Sequence, residues 1–92
     1  MFDEEIKAFD VLQSISTLEN IIYQETTKNG NLTNVELYKL TLKNEFLPKH
    51  SVIALDNLIK KGKMQRTNKS KGYGINYTNY KDKNVVSRFE IL

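Results

Sequence analysis

Most of the side chains in this 92-residue chain that could do chemistry are cations, and they are clustered. Residues 60–88 carry Lys60, Lys61, Lys63, Arg66, Lys69, Lys71, Lys81, Lys83 and Arg88 against Asp82 alone, a local charge of +8. Residues 1–25 carry Asp3, Glu4, Glu5, Asp10, Glu19 and Glu25 against Lys7, a local charge of −5. The formal net charge of +3 hides this division. An asymmetry of this kind points a basic face at a polyanion and an acidic face elsewhere. Tyr73, Tyr77 and Tyr80 lie within the basic stretch, and aromatic rings there can stack on bases. Alternation along a strand puts Tyr77 in the core and leaves Tyr73 as the stacking candidate.

Other chemistries lack their parts. There is no Cys and a single His, His50, so no thiolate nucleophile and no zinc set can be assembled. A lone His is more often a solvated or capping residue than a catalyst. Asp3, Glu4 and Glu5 suit the start of a helix better than acid–base work. Gly72-Tyr73-Gly74 is a fragment of a phosphate loop without its helix. No nucleophile, base and orienting group can be combined, so no enzyme and no cofactor is expected. No window approaches 18 apolar residues. The acidic start has no apolar core of a signal peptide. The expectation is a cytoplasmic protein away from membranes, in which the sequons Asn31-Leu32-Thr33 and Asn76-Tyr77-Thr78 have no meaning.

The elements that must position these groups follow from spacing. The length allows one domain over residues 1–92. From Asp3 to Lys28 there is no Pro or Gly. Val11, Leu12, Ile15, Leu18, Ile22 and Tyr23 share one stripe at 100° per residue, while Phe2, Ile6 and Phe9 share a second, nearly opposite. This is either one long helix or two pieces broken near residues 14–17. Asn29-Gly30 ends it. Asn31-Leu32 is a short extended step, and Thr33 followed by Glu36 reads as a capping box opening a second helix over 34–41. Its Val35, Leu37 and Leu40, with Leu42 as a further candidate, face the core. Residues 43–47 form a turn. Pro48 opens a third helix, with Val52, Leu55, Leu58 and Ile59 inward and Gly62 beyond its end. The period then changes to two. Residues 63–68 and 73–80 read as strands joined by a turn over 68–72. Val85, Val86, Phe89, Ile91 and Leu92 form an apolar closing segment, helix or strand.

This order resembles the winged helix-turn-helix family. The resemblance is carried by Leu32-Thr33-Asn34-Val35-Glu36-Leu37, by Ser51-Val52-Ile53-Ala54-Leu55-Asp56-Asn57-Leu58-Ile59-Lys60-Lys61-Gly62, and by Lys63-Met64-Gln65-Arg66 as the first wing strand. It implies an α+β fold of three helices followed by a two-stranded antiparallel wing, with an extended first helix and an apolar C-terminal segment. It also implies a binder of double-stranded DNA. The recognition helix would offer Lys49, His50, Ser51, Asn57 and Lys60. Ile53 stands where the family often has Arg, so much of the binding falls to the wing residues Arg66, Asn68, Lys69, Ser70, Lys71 and Tyr73, entering a minor groove or tracking the backbone. The second stripe, Phe2, Ile6 and Phe9, is covered either by Val86, Phe89 and Ile91 within the chain or by a second protomer, and it suits a homodimer interface. A plasmid or phage setting is expected, as a conjugation-origin accessory or partition adaptor working beside other DNA-processing proteins. A small transcriptional repressor and a protein-interaction module are the alternatives.

Overall fold

The computed structural model describes residues 2–67 and 72–92, and side chains from residue 15 onward. It is α+β, with four helices and a three-stranded antiparallel sheet. Helix α1 spans Phe2–Asn29 without a break. Its end is marked by Gly30 at φ +88°, whose N–H donates to the Thr26 carbonyl at 2.8 Å. Ile15, Leu18 and Ile22 bury their side of α1, the apolar stripe read from the sequence. Among the described residues, no helix is long and apolar enough to cross a membrane.

Strand β1, Asn31–Thr33, leads directly into α2, Asn34–Lys43. Thr33 and Glu36 form the expected capping box: the Glu36 N–H donates to Thr33 Oγ1 at 3.2 Å, and the Thr33 N–H donates to Glu36 Oε1 at 3.1 Å. Leu37 is buried, Val35 and Leu40 are half-buried, and Tyr38, Asn34 and Thr41 join Leu37 inside. Helix α2 runs two residues past its expected end, so the turn to the next helix shrinks to residues 44–47. Glu45 takes the left-handed conformation at φ +65° to close it. Helix α3, Pro48–Lys60, buries Ser51, Ala54, Leu55 and Leu58. Gly62, at φ +71°, turns the chain into β2, Met64–Arg66.

The sheet order is β1-β3-β2, with β3, Arg88–Ile91, in the middle. Leu32 pairs with Phe89 across one ladder, and Met64 with Ile91 across the other. Leu32, Met64 and Phe89 are buried and pack with Leu18, Ile22, Leu37, Leu55 and Leu58 in one core. The apolar C-terminal segment is thus the central strand.

The expected second wing strand over residues 73–80 is not one. Residues 77–82 form a fourth helix, α4, Tyr77–Asp82. Tyr77, expected in the core, is 62% exposed. Two asparagines override the alternating pattern. Asn76 Oδ1 accepts from the Asn79 N–H at 2.8 Å, an N-cap. Asn34, at the start of α2 and fully buried, reaches into the connection from β2 to β3. Its Nδ2 donates to the carbonyls of Gly74 (2.9 Å) and Asn84 (3.1 Å), while its Oδ1 accepts from the N–H groups of Val86 (2.9 Å) and Ser87 (3.3 Å). This side chain meets its full capacity of two donors and a two-lone-pair acceptor on backbone alone. It ties the segment to α2, where Tyr80 packs on Tyr38 with ring centroids 4.9 Å apart.

Candidate nucleic-acid interface

The residues expected to contact a polyanion come from α3 and from the chain just after it. At 100° per residue, the burial of Ser51, Ala54, Leu55 and Leu58 leaves Lys49, Ile53 and Lys60 on the opposite side of α3. All three are exposed, Ile53 by 46%. The solvent face of this helix is therefore an aliphatic side chain between two ammonium groups. Leu47, just before the helix, is also exposed.

Three other helix candidates are engaged elsewhere. Ser51 is fully buried, and its hydroxyl donates to the Pro48 carbonyl at 2.8 Å. It belongs to the core side of α3, which corrects its assignment to the reading face. Four-residue spacing from Leu55 and three-residue spacing from Ala54 dictate that placement. His50 Nδ1 accepts from the Leu47 N–H at 3.2 Å, and its ring lies edge-on to Phe46. It caps the helix start, a role open to a lone histidine. Asn57 Nδ2 donates to Glu19 Oε2 at 3.1 Å, and Lys61 Nζ pairs with Glu19 Oε1 at 2.8 Å. Glu19 is only 7% exposed, so these two contacts bolt the last turn of α3 to α1.

Beyond the helix, the cationic run continues through Lys63 and Arg66. Lys63 Nζ lies 5.8 Å from the Tyr23 ring centroid, and the Arg66 guanidinium 5.1 Å from that of Tyr73. Arg66 Nη1 also donates to the Gly72 carbonyl at 3.4 Å, which closes the base of the β2–β3 connection. Tyr73 is not presented for stacking. Its ring stands edge-on to Phe89, 5.1 Å between centroids, and its hydroxyl donates to the Asp56 carboxylate. Burial, then the hydrogen bond and the negative charge of Asp56, push the Tyr73 hydroxyl up from 10 to about 12, against the opposing effect of Arg66. The same bond occupies Asp56, the acid on the exposed side of α3. Sequence alone offers no means of pairing residues 56 and 73, since nothing in their spacing links them.

Asn68, Lys69, Ser70 and Lys71 lie outside the described residues, as do the side chains of Phe2, Ile6 and Phe9. A second cationic region lies away from α3. Lys81 and Lys83, on and just after α4, share a groove with Lys39 of α2 and Arg88 of β3. Tertiary folding alone collects these four. Compared with protein-family models, curated proteins and solved structures, the chain matches none.

Proposed function

We propose that this chain is a winged helix-turn-helix protein that binds specific sites on double-stranded DNA. One observation carries the reading. The order α1-β1-α2-α3-β2-α4-β3, with β3 between β1 and β2 in the sheet, has α3 leading directly into β2, and the exposed cations Lys49 and Lys60 lead along the chain to Lys63 and Arg66. In this reading α3 enters the major groove, with Lys49 and Lys60 on phosphates and Ile53 against base edges. The β2–β3 connection is the wing, and residues 60–71, with six Lys or Arg and no acid, supply its backbone and minor-groove contacts. Helix α4 is an insertion folded back onto α2, and the contact between Arg66 and the Gly72 carbonyl marks the base of the wing. The resemblance favours a plasmid or phage DNA-processing accessory; a small repressor would use the same contacts.

The test is selection of bound sites from a random duplex library, followed by titration of the selected site against salt. Neutralising about five phosphates per protomer gives a slope of about −4 to −5 in log K against log salt. Failure to enrich any sequence, with no duplex binding at low salt, overturns the reading and favours a protein-interaction module.

A further inference from the structure

We propose that Asp56, its side chain fixed by the Tyr73 hydroxyl, sets base specificity by accepting a hydrogen bond from the exocyclic amine of a cytosine, a role that rests on the DNA-binding reading of α3. At 100° per residue, Lys49, Ile53, Asp56 and Lys60 fall within about 60° of one another around the helix. Ser51, Ala54, Leu55 and Leu58, all buried, lie on the opposite side. Asp56 therefore shares a stripe with Ile53 and the two lysines, about one turn beyond Ile53. Lys49, Ile53 and Lys60 are exposed, while Asp56 is half-buried with Tyr73 bonded to it. An acid between two cations, on a face that meets phosphate, weakens binding unless it finds a donor. The donors that a major groove offers are N4 of cytosine and N6 of adenine. Adenine carries the acceptor N7 beside its amine, which a carboxylate would also face, whereas cytosine presents its amine alone.

The two carboxylate oxygens of Asp56 are not equivalent. Oδ1 accepts from the Tyr73 hydroxyl, which is pushed up to about 12 and so stays a donor throughout the neutral range. Among the described residues, Oδ2 has no partner. Tyr73 is itself held. Its ring stands edge-on to Phe89, 5.1 Å between centroids, and the Arg66 guanidinium lies 5.1 Å from its centroid. Phe89 is fully buried in the central strand β3. The contacts from Phe89 through Tyr73 to Asp56 thus tie the carboxylate to the core. Side-chain freedom that a base contact must otherwise give up is already lost in the free protein.

Selection from a random duplex library, run in parallel on the unmodified chain and its variants, tests this role. The unmodified chain selects dC at one position of its site, and exchanging that pair for dT with dA weakens binding about tenfold. Thymine places the acceptor O4 where cytosine has N4. Asp56→Asn puts the donor Nδ2 in place of Oδ2 while its Oδ1 still accepts from Tyr73. The preference at this position alone then reverses from dC to dT. Asp56→Asn combined with Tyr73→Phe lets the amide turn over, and dC and dT are bound alike. A merely structural role for either residue weakens binding at all positions together and reverses none, and a misfolded variant selects nothing. An unmodified chain that binds no duplex overturns the DNA-binding reading and the role of Asp56 with it. An unmodified chain that selects a site, with preferences that Asp56→Asn leaves unchanged, overturns the role of Asp56 alone. A reversal that survives Tyr73→Phe overturns the positioning by Tyr73.

Discussion

At the scale of single residues, the contacts that matter most are those that take a side chain out of circulation or leave it exposed for no reason of stability. Ile53 is the second kind. An aliphatic group on the solvent face of α3 gains nothing from water, but in a major groove it can cover a thymine methyl. Replacing dT by dU throughout the selected site removes that methyl while keeping every hydrogen-bonding group. One buried methyl is worth about 0.8 kcal/mol, so affinity falls about fourfold. Ile53→Ala binds both duplexes alike. An unmodified chain that does not distinguish dT from dU would remove Ile53 from the base contacts. Tyr73 is the first kind, held between Arg66, Phe89 and Asp56. Its hydroxyl is raised from 10 to about 12 in the folded chain. A raised acid of this type stabilises the fold while it stays protonated in both states, below pH 10. That contribution disappears as pH climbs from 10 to about 12, where the unfolded chain loses the proton first. Urea midpoints measured across that window drop for the unmodified chain, and Tyr73→Phe loses this part of the drop.

Among the elements, α4 is the one that local pattern misassigned. Residues 73–80 alternate like a strand, and the distinction rests on Asn34, about 40 residues away. Its four backbone hydrogen bonds hold the connection against α2. Gly74 sits inside this clasp at φ +71°, where an added Cβ would meet Val86 Cγ2 at 2.1 Å and Asn79 Nδ2 at 3.0 Å. Asn34→Ala leaves buried backbone groups without partners and costs about 3 kcal/mol by urea denaturation. Gly74→Ala, which combines strain with a clash, costs about 2 kcal/mol or more. In both variants hydrogen exchange quickens in residues 74–87 before it does in α3. Uniform quickening across the chain would deny the clasp its local role. The helices α1, α2 and α3 were legible from sequence because each carries its own signals: Asn29-Gly30, the Thr33–Glu36 box, and Pro48 with Gly62. Strand β3 was legible only as an apolar segment, since a central strand looks the same whether its neighbours are near or far in sequence.

For the whole molecule, charge is the organising quantity. If residues 60–71 carry the wing, Lys69→Ala with Lys71→Ala flattens the salt slope by about 2, because two phosphate contacts are lost, and weakens binding across all sequences alike. The same change at Lys81 and Lys83 leaves the slope for a single duplex site unaltered, because the α2–α4 groove lies outside the contacts assigned to α3 and residues 60–71. Equal effects from the two pairs would mean that α4 also faces DNA. Stability is nearly unmoved by the change at Lys81 and Lys83, as exposed cations contribute little to folding.

The sequence by itself determined what is local: where α2 and α3 begin and where α1 ends, which stripe of α1 turns inward, that no thiol is present, and that cations gather after residue 60. These follow from caps, glycines and period, which act within a few residues. Tertiary structure alone decided that 77–82 is a helix, that Ser51 is buried, that Tyr73 is held edge-on to Phe89 and bonded to Asp56, and that Lys39, Lys81, Lys83 and Arg88 share one groove. Each of these depends on contacts between residues from different elements, which no local spacing encodes. What could be inferred about the candidate interface divides the same way. Its charge was present in the order of residues, whereas its shape, an isoleucine between two lysines on the exposed side of α3, depended on which side of each element the core consumed.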